Sequence, residues 1–240
     1  MREPIPSTNL LKDIPDFVGF PTGSTKFLTG LAKNNEKVWF EKHRPDYEAH
    51  LLGPMRALVL AVGERLRPQL PRLIADPRVG GSVMRINRDT RFSTDKSPYK
   101  SWIACHWKDA TGENGVGCYF HLDAKTAYAG GGIYQLDDAQ LTRYRKALGD
   151  AKALRSLKSA ISGFEEAGIE IGGETLKRPP RGFTPEHKAG KLMFHKGLYA
   201  GRDIPIGRAR SVELVDDLMA VYSEIIPLLK WMTQRVVLSG

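Results

Sequence analysis

The sequence predicts an α+β fold, with an antiparallel sheet of four or more strands packed by helices from the N- and C-terminal parts of the chain. Apolar residues recur every three or four positions over 46–66 and 211–238, which is the spacing of amphipathic helices. Between about 82 and 134 the period changes to two, which is typical of strands. Because no linker-like stretch divides the chain, we expect a flexible arm over 1–16 and a single domain over 17–240.

Residue types at the ends of the helical segments predict where they begin and bend. Side-chain caps are expected at three helix starts, namely Ser24 for a helix to about Lys33, Asp137 or Asp138 for 139–148, and Asp150 for 151–161. Pro54 is expected to kink or restart the helix over 46–66, and Pro227 to bend the C-terminal helix. These helices supply the layers that cover the sheet.

The middle of the chain predicts strands at 82–87, 101–108, 116–122 and 126–134. One register collects six apolar residues on one face: Ile103 opposite Phe120, Cys105 opposite Cys118, and Trp107 opposite Val116. A slip of one residue would destroy this match. A two-residue turn at Ala124–Lys125 then places Tyr128 beside His121.

The other face of these strands carries aromatic and histidine side chains around a floor of glycines. Its members are Trp102, His106, Gly117, Tyr119, His121, Tyr128, Gly130 and Gly132. A glycine inside a strand often marks close approach of a ligand or of another backbone. Two interpretations stay open: a pocket in which a histidine acts near neutral pH, or a face that helices simply cover.

The densest group of multivalent side chains lies between Arg85 and Lys100, in the connection between the first two predicted strands. Arginine suits bidentate binding of phosphate or carboxylate. The candidate anion ligands are Arg85, Arg88, Arg91, Lys96 and Lys100, with the hydroxyls of Ser93 and Ser97. Asp89 and Asp95 would orient these arginines or hold Mg²⁺. Alternatively, the aspartates pair with the arginines and stiffen the connection without any ligand.

A second basic cluster lies in a Pro- and Gly-rich stretch over 178–210, after a segment at 169–177 that reads as a short strand or hairpin. Its members are Arg178, Arg181, His187, Lys188, Lys191, His195 and Lys196. The histidine spacing does not match a metal site, and the sequence has no H-E-x-x-H or C-x-x-C motif. A solvated loop and a nucleic-acid contact are both compatible with this composition.

The composition narrows the function classes. The net charge is +9 and the pI is about 9.5, which favours acidic partners such as nucleic acid, nucleotides or anionic surfaces. The longest apolar run, 57–62, is too short to span a bilayer, and the first 15 residues lack a signal-peptide core. We expect a cytoplasmic protein with reduced thiols, because Cys105 and Cys118 are too few for a disulfide framework and fall on the apolar face.

Four stretches of the chain resemble one known family. They are N-N-E-K-V-W-F at 34–40, R-D-T-R-F-S-T-D-K-S-P-Y-K at 88–100, G-G-G at 130–132 and L-K-R-P-P-R-G-F at 176–183. The sequence resembles, from about Phe17 to Trp231, the uncharacterised family catalogued as domain of unknown function 2461. The resemblance implies a single soluble domain of a widespread family. It implies no reaction, substrate or cofactor.

The leading hypothesis is a protein that binds, or acts on, a phosphorylated or otherwise anionic small molecule. The candidate binding residues are Arg85, Arg88, Arg91, Lys96, Tyr99, Lys100, Trp102, Tyr119, Tyr128, Arg178 and Arg181. The candidate acid or base groups are Asp89, Asp95 and His121. The alternative is a non-catalytic RNA- or protein-binding module that uses the basic stretch over 178–196, with the Arg/Asp loop as a structural lock. The sequence specifies neither a cofactor nor an oligomeric state.

Overall fold

The computed structural model describes residues 13–109 and 115–238. It confirms the α+β prediction, because five strands form an antiparallel sheet with flanking helices. The strands are β1 (Ile103–Lys108), β2 (Gly117–Leu122), β3 (Thr126–Ile133), β4 (Glu170–Gly172) and β5 (Leu198–Pro205). Their order in the sheet is β1-β2-β3-β5-β4.

The helices precede, interrupt and follow the strands along the chain. They are α1 (Thr22–Lys33), α2 (Lys37–Lys42), α3 (Arg44–Tyr47), α4 (Gly53–Leu66), α5 (Asp138–Gly149), α6 (Ala151–Ala160), α7 (Ile206–Ala209) and α8 (Leu214–Met232). A π-helical turn over Glu48–Leu52 joins α3 to α4, and another over Thr233–Val237 follows α8. Within the described ranges, none of these helices combines the length and the hydropathy that a membrane crossing demands.

The chain divides into two compact units. The first consists of Met1–Lys108, Tyr119–Ala129 and Asp203–Met219, and the second of Asp109–Cys118, Gly130–Arg202 and Ala220–Gly240. The single domain expected over 17–240 stays a prediction. Of the expected arm over 1–16, residues 1–12 lie outside the described residues.

Each unit has a tryptophan whose indole is tied to a helix. In the first unit Trp107 is fully buried, and its Nε1–H donates to the carbonyl of Val59 in α4 at 2.9 Å. In the second unit the Nε1–H of Trp231 donates to the carbonyl of Ala153 in α6 at 3.0 Å. A buried indole N–H needs an acceptor, and each of these bonds ties a helix to the core.

Two of the three expected helix caps are confirmed. Asp137 forms a capping box with Gln140 at the start of α5, and the carboxylate of Asp150 accepts from the backbone N–H of Ala153 at the start of α6. The prediction for Ser24 is wrong, because α1 begins at Thr22 and the buried Ser24 hydroxyl donates to the carbonyl of His50 at 2.6 Å. That hydroxyl joins α1 to the following π-helical turn.

The strand expected over 82–87 is absent as a regular element. The backbone N–H of Met84 donates to the carbonyl of Ala104 in β1 at 2.9 Å, whereas the N–H of Lys100 donates to the carbonyl of Ile86 at 2.8 Å. The segment therefore changes partner halfway along, and only isolated bridges form, among them one between Asn87 and Tyr99.

The register predicted for the first hairpin is wrong by two residues. The backbone N–H of Asp109 donates to the carbonyl of Val116 at 2.9 Å, so Val116 lies opposite Asp109 and not opposite Trp107. Side chains alternate with period two, so a shift of two leaves both faces unchanged and the apolar pattern cannot detect it. The second hairpin follows the prediction: the N–H of Asp123 donates to the carbonyl of Thr126 at 3.0 Å.

Strand β5 was not predicted, because its sequence L-Y-A-G-R-D-I-P lies in the stretch expected to be a loop. Glycine, aspartate and proline are depleted in strands. Pairing on both of its edges, with β3 and with β4, outweighs that composition. Gly132 in β3 has a φ of +140°, and a Cβ there would collide with the carbonyl oxygen of Leu198. This glycine therefore serves the close approach of two backbones and not a ligand.

Candidate functional site

The loop of residues 88–98 is closed at its base by a short ladder of backbone hydrogen bonds. The N–H of Arg88 donates to the carbonyl of Pro98 at 2.8 Å, next to the bridge between Asn87 and Tyr99. We call residues 88–100 the arginine loop. It lies between the segment over 82–87, which forms only isolated bridges, and strand β1, and the backbone hydrogen bonds at its base fix its ends.

Tyr99 anchors the end of the arginine loop. Its backbone N–H donates to the Asn35 side-chain oxygen at 3.0 Å, and its carbonyl accepts from the Asn35 Nδ2 at 2.9 Å. Tyr99 is 6% exposed, and its ring stacks on Phe40 with the centroids 4.3 Å apart. Burial raises the pKa of the Tyr99 hydroxyl. Tyr99 therefore holds the loop in place and is not an open stacking platform.

A cleft of about 570 Å³ lies between the arginine loop and the end of α1. Its lining residues are Ala32, Asn35, Arg88, Asp89, Asp95, Ser97, Tyr99, Lys100, Ser101 and Trp102. We call it the Arg88 cleft. Seven of the residues predicted from the sequence meet there: Arg88, Asp89, Asp95, Ser97, Tyr99, Lys100 and Trp102. No glycine lines it, so the expected glycine floor is not part of this cleft.

Arg88 and Asp95 form an ion pair at the edge of the cleft. The Arg88 side chain is 26% exposed and that of Asp95 is 57% exposed. The other carboxylate oxygen of Asp95 accepts from the Ser97 hydroxyl at 2.6 Å and from the Ser97 backbone N–H at 2.9 Å. The Ser97 donors, followed by Arg88, hold the pKa of Asp95 well below its usual range. Asp95 is therefore ionised at neutral pH and orients one side of the guanidinium.

Arg91 and Asp89 form a second pair in the same loop, with the Nε and Nη2 of Arg91 at 3.0 and 2.7 Å from the two carboxylate oxygens. The Arg91 hydrogen bonds lower the pKa of Asp89. Arg91 is 77% exposed and does not line the cleft. Lys96 does not line it either, and its ammonium donates to the carbonyl of Thr90 at 3.0 Å. These two cations brace the loop.

Lys100 is the cation whose charge is least compensated in the cleft. Its ammonium donates to the carbonyl of Arg85 at 2.7 Å and lies 4.9 Å from the centroid of the Trp102 ring. Within the described part of the chain, no carboxylate pairs with it. Burial lowers the pKa of Lys100. A cation that is partly removed from water without a counter-ion is a feature of binding sites.

Arg85 does not line the cleft, although the sequence placed it among the candidate ligands. Its guanidinium stands over Gly80, with Nε 3.6 Å from the position that a Cβ would occupy there. Only its backbone carbonyl contributes to the site, by accepting from Lys100.

Trp102 links the Arg88 cleft to the predicted aromatic face. Its ring lies 5.9 Å from that of His121, and the His121 ring stacks on Tyr128 at 5.8 Å. Tyr119 lies 6.4 Å from Tyr128. Tyr119, His121 and Tyr128 thus form one cluster, and none of these three residues lines the cleft. Trp102, whose ring lies beside His121, does line it. Burial lowers the pKa of His121, against Asp123 and Asp203, which raise it.

His106 belongs to the same strand face and is held neutral. Burial, followed by the charge of Lys108, lowers its pKa to about 4. Its Nδ1 is buried, and no hydrogen-bond partner for that atom occurs among the described residues.

The second basic cluster lies in the second unit. Arg178, Arg181, Lys188 and Lys191 are exposed. Lys196 instead pairs with Glu174 at 2.6 Å, and His195 is buried. In residues 13–109 and 115–238, no group of three or more His, Cys, Asp and Glu side chains is arranged to hold a metal ion.

Sequence reasoning missed Asn35 and Ser101, which also line the cleft. The role of Asn35 depends on a partner 64 positions away, so no local signal identifies it. Asparagine and serine in loops most often satisfy nearby backbone groups. The family-like stretch at 34–40 includes Asn35 but does not indicate its role, and Ser101 has no comparable signal.

Comparison with known proteins adds a family and no activity. No curated protein and no solved structure matched the chain. Residues 24–231 match the model of a family described as a conserved hypothetical protein, DUF2461. This match covers most of the chain, including the arginine loop and the second basic cluster. The chain therefore belongs to the DUF2461 family, whose function is unknown.

Proposed function

We propose that the chain binds a small anionic molecule, in its simplest form a phosphate ester, in the Arg88 cleft. The observation that carries the proposal is the position of Lys100. Its ammonium is partly buried at the cleft, with a neutral carbonyl and an aromatic ring as its contacts and no carboxylate partner in the described residues. A bound anion would supply the missing counter-ion.

Arg88 would supply the second contact. Asp95 engages one terminal nitrogen of its guanidinium, and the other lies 3.4 Å from the Ser93 hydroxyl, a long hydrogen bond. The Nε–H has no acceptor among the described residues, so this planar fork keeps donors for a ligand. An exposed ion pair is worth only about 0.2–1 kcal/mol. An anion in the cleft can therefore share or replace Asp95 at little cost.

The polar groups around these cations fit the same ligand class. Ser97 and Ser101 place hydroxyls at the cleft, and Trp102 forms an apolar wall beside Lys100. The residues that line the cleft include two cations and two carboxylates, so their formal charges sum to zero. However, Asp89 is engaged by Arg91, and Asp95 by Ser97 as well as Arg88. The charge that remains without a local partner is that of Lys100.

The geometry supports binding better than catalysis. The hydrogen bonds that Asp89 and Asp95 accept lower the pKa values of these two carboxylates, which makes them weak bases at neutral pH. Their role in this proposal is to position Arg88 and to brace the loop. Proton transfer by His121 stays a prediction, because that side chain is separated from the cleft by Trp102.

A thermal-shift screen at low ionic strength tests the proposal. The panel contains phosphate, pyrophosphate, nucleotides, sugar phosphates and divalent metals. A ligand at 100 times its Kd stabilises the folded state by about 2.7 kcal/mol. For a chain of this size that raises the midpoint by roughly 5–10 °C. A screen in which no anion raises the midpoint would exclude the proposal.

Two arginines of the same loop provide matched variants. Arg88→Ala and Arg91→Ala each remove one positive charge and one ion pair with an aspartate, but only Arg88 lines the cleft. We expect Arg88→Ala to weaken anion binding about tenfold or more, since a charge-assisted hydrogen bond contributes about 1.5–3 kcal/mol. Lys100→Met, which removes the charge and keeps an unbranched side chain, should do the same.

The structural-lock alternative predicts a different outcome of the same experiment. If the arginine loop only braces the fold, Arg88→Ala and Arg91→Ala lower the melting midpoint to similar extents and no anion raises it. Equal loss of anion binding in both variants would likewise contradict a site centred on Arg88.

A further inference from the structure

A second, separate concentration of positive charge lies in the second unit, over residues 177–191. We call this segment the basic turns. It carries five exposed cations, Lys177, Arg178, Arg181, Lys188 and Lys191, and one exposed acid, Glu186. Within the described chain, none of the five basic side chains has an ion pair or a side-chain hydrogen bond. Their charge therefore faces solvent without compensation.

The segment is a series of closed turns. The backbone N–H of Phe183 donates to the carbonyl of Pro180 at 3.1 Å, that of His187 to Thr184 at 3.0 Å, and that of Gly190 to His187 at 2.9 Å. Three prolines, Pro179, Pro180 and Pro185, restrict the backbone further. The cations are thus presented from a backbone that is already ordered, which lowers the entropy lost on binding.

Buried residues at and beyond the end of the segment hold the turns on the second unit. Ala189 is 3% exposed and Met193 is 1% exposed. The carbonyl of the buried Leu192 accepts a hydrogen bond from the Tyr144 hydroxyl at 2.9 Å. The basic side chains can therefore be changed while these anchors stay in place.

The chemistry of the segment fits a chain of phosphates better than a single one. Five exposed cations against one acid exceed what one phosphate group neutralises, and they are spread over successive turns. The half-buried Phe183 ring lies against His187 with the centroids 4.6 Å apart. Basic side chains with an aromatic ring between them are typical of surfaces that bind single-stranded nucleic acid.

We propose that the basic turns bind single-stranded nucleic acid, with the phosphates along the Lys and Arg side chains and a base against Phe183. This binding site is independent of the Arg88 cleft, so failure of either proposal leaves the other standing.

Fluorescence anisotropy with labelled 20-nucleotide RNA and DNA, from 50 to 200 mM salt, tests the proposal on the full chain. The main variant replaces Arg178, Arg181, Lys188 and Lys191 with Gln. The control variant replaces Lys146, Lys152, Arg155 and Lys158 with Gln, which are also exposed and lie in α5 and α6 of the same unit. Both variants change the net charge equally. Comparing RNA with DNA of the same sequence shows whether the 2′-hydroxyl contributes.

We expect the main variant to flatten the slope of log K against log salt by about 3, because each phosphate contact to a single strand contributes about 0.7. Those four contacts alone make the wild type lose about 50-fold in affinity between 50 and 200 mM salt. The control variant should keep most of the slope. Phe183→Leu should weaken binding about tenfold at constant salt, through lost stacking.

Three outcomes would overturn the proposal: no binding by the wild type at 50 mM salt, equal losses in the main and control variants, or tight binding of polyphosphate with no effect of Phe183→Leu. The pair Arg178→Gln and Arg181→Gln alone provides a milder variant if the fourfold one fails to fold. It should flatten the slope by about half as much.

Discussion

The arginine loop and the basic turns carry similar numbers of cations but compensate them differently. In the arginine loop Arg88 and Arg91 each pair with an aspartate of the same loop, and Lys96 and Lys100 donate to backbone carbonyls. In the basic turns none of the five cations has such a partner among the described residues. Sequence composition alone describes both as basic.

This difference separates two uses of positive charge. A paired arginine has a fixed direction, and it can present its remaining donors to a ligand at a defined place in a cleft. An unpaired, solvated cation adds to a field that attracts polyanions with little geometric demand. The arginine loop is therefore suited to a small anion, and the basic turns to an extended one.

The largest expected difference concerns how each segment is tied to its core. Tyr99→Ala should lower the free energy of unfolding by about 3 kcal/mol, because it removes a buried ring from the contact with Phe40. Phe183→Ala should cost less than about 1 kcal/mol, because that ring is half-buried at the surface. Urea denaturation of both variants measures the two losses in free energy of unfolding. Equal costs would show that the two segments are equally integrated into the fold.

A smaller effect is expected from the side chain that clamps the arginine loop. Asn35→Ala should cost about 2 kcal/mol, because it leaves both the N–H and the carbonyl of Tyr99 without this partner. Asn34→Ala is the control, since the Asn34 amide donates only to the exposed carbonyl of Gly30 at the end of α1. Hydrogen exchange should show faster exchange of the arginine loop in Asn35→Ala and no change in the basic turns. Unchanged exchange of the loop would contradict the clamp.

The smallest effect is a difference in acid sensitivity. The folded pKa of Asp95 is depressed, so its contribution is present above the unfolded pKa of about 3.9 and is lost as the pH falls from there through the folded pKa. We expect pepsin cleavage next to the exposed Phe92 to increase between pH 4.5 and 2.5, relative to cleavage next to Phe183. Asp95→Asn should show the higher ratio already at pH 4.5. A ratio that stays constant with pH in the wild type would contradict the role of this carboxylate.

The sequence predicts those parts of the fold that depend on local chemistry. The caps at Asp137 and Asp150 and the turn at Ala124–Lys125 depend on residues within a few positions, and they are confirmed. The predicted register of the first hairpin was wrong, because a shift of two residues leaves the apolar face intact. Strand β5 was not predicted, because its pairing with two neighbouring strands outweighs an unfavourable composition.

For the candidate site, the sequence identified the segment but not the role of each residue in it. Seven predicted residues line the Arg88 cleft, whereas Arg85, Arg91, Ser93 and Lys96 do not. All of these cations lie within 16 positions, and only the three-dimensional path of the loop decides which of them face the cleft. The contact of Asn35 with Tyr99 depends on the same path.

The central claim is that the two basic segments bind different anions, and one set of titrations tests it directly. Calorimetry with pyrophosphate and anisotropy with a single-stranded oligonucleotide are run on three proteins. They are the wild type, Arg88→Ala, and the fourfold variant in which Gln replaces Arg178, Arg181, Lys188 and Lys191. We predict that Arg88→Ala loses pyrophosphate binding and keeps the oligonucleotide, and that the fourfold variant does the reverse. If both variants weaken both ligands to the same extent, the two segments are not separate sites and the account is wrong.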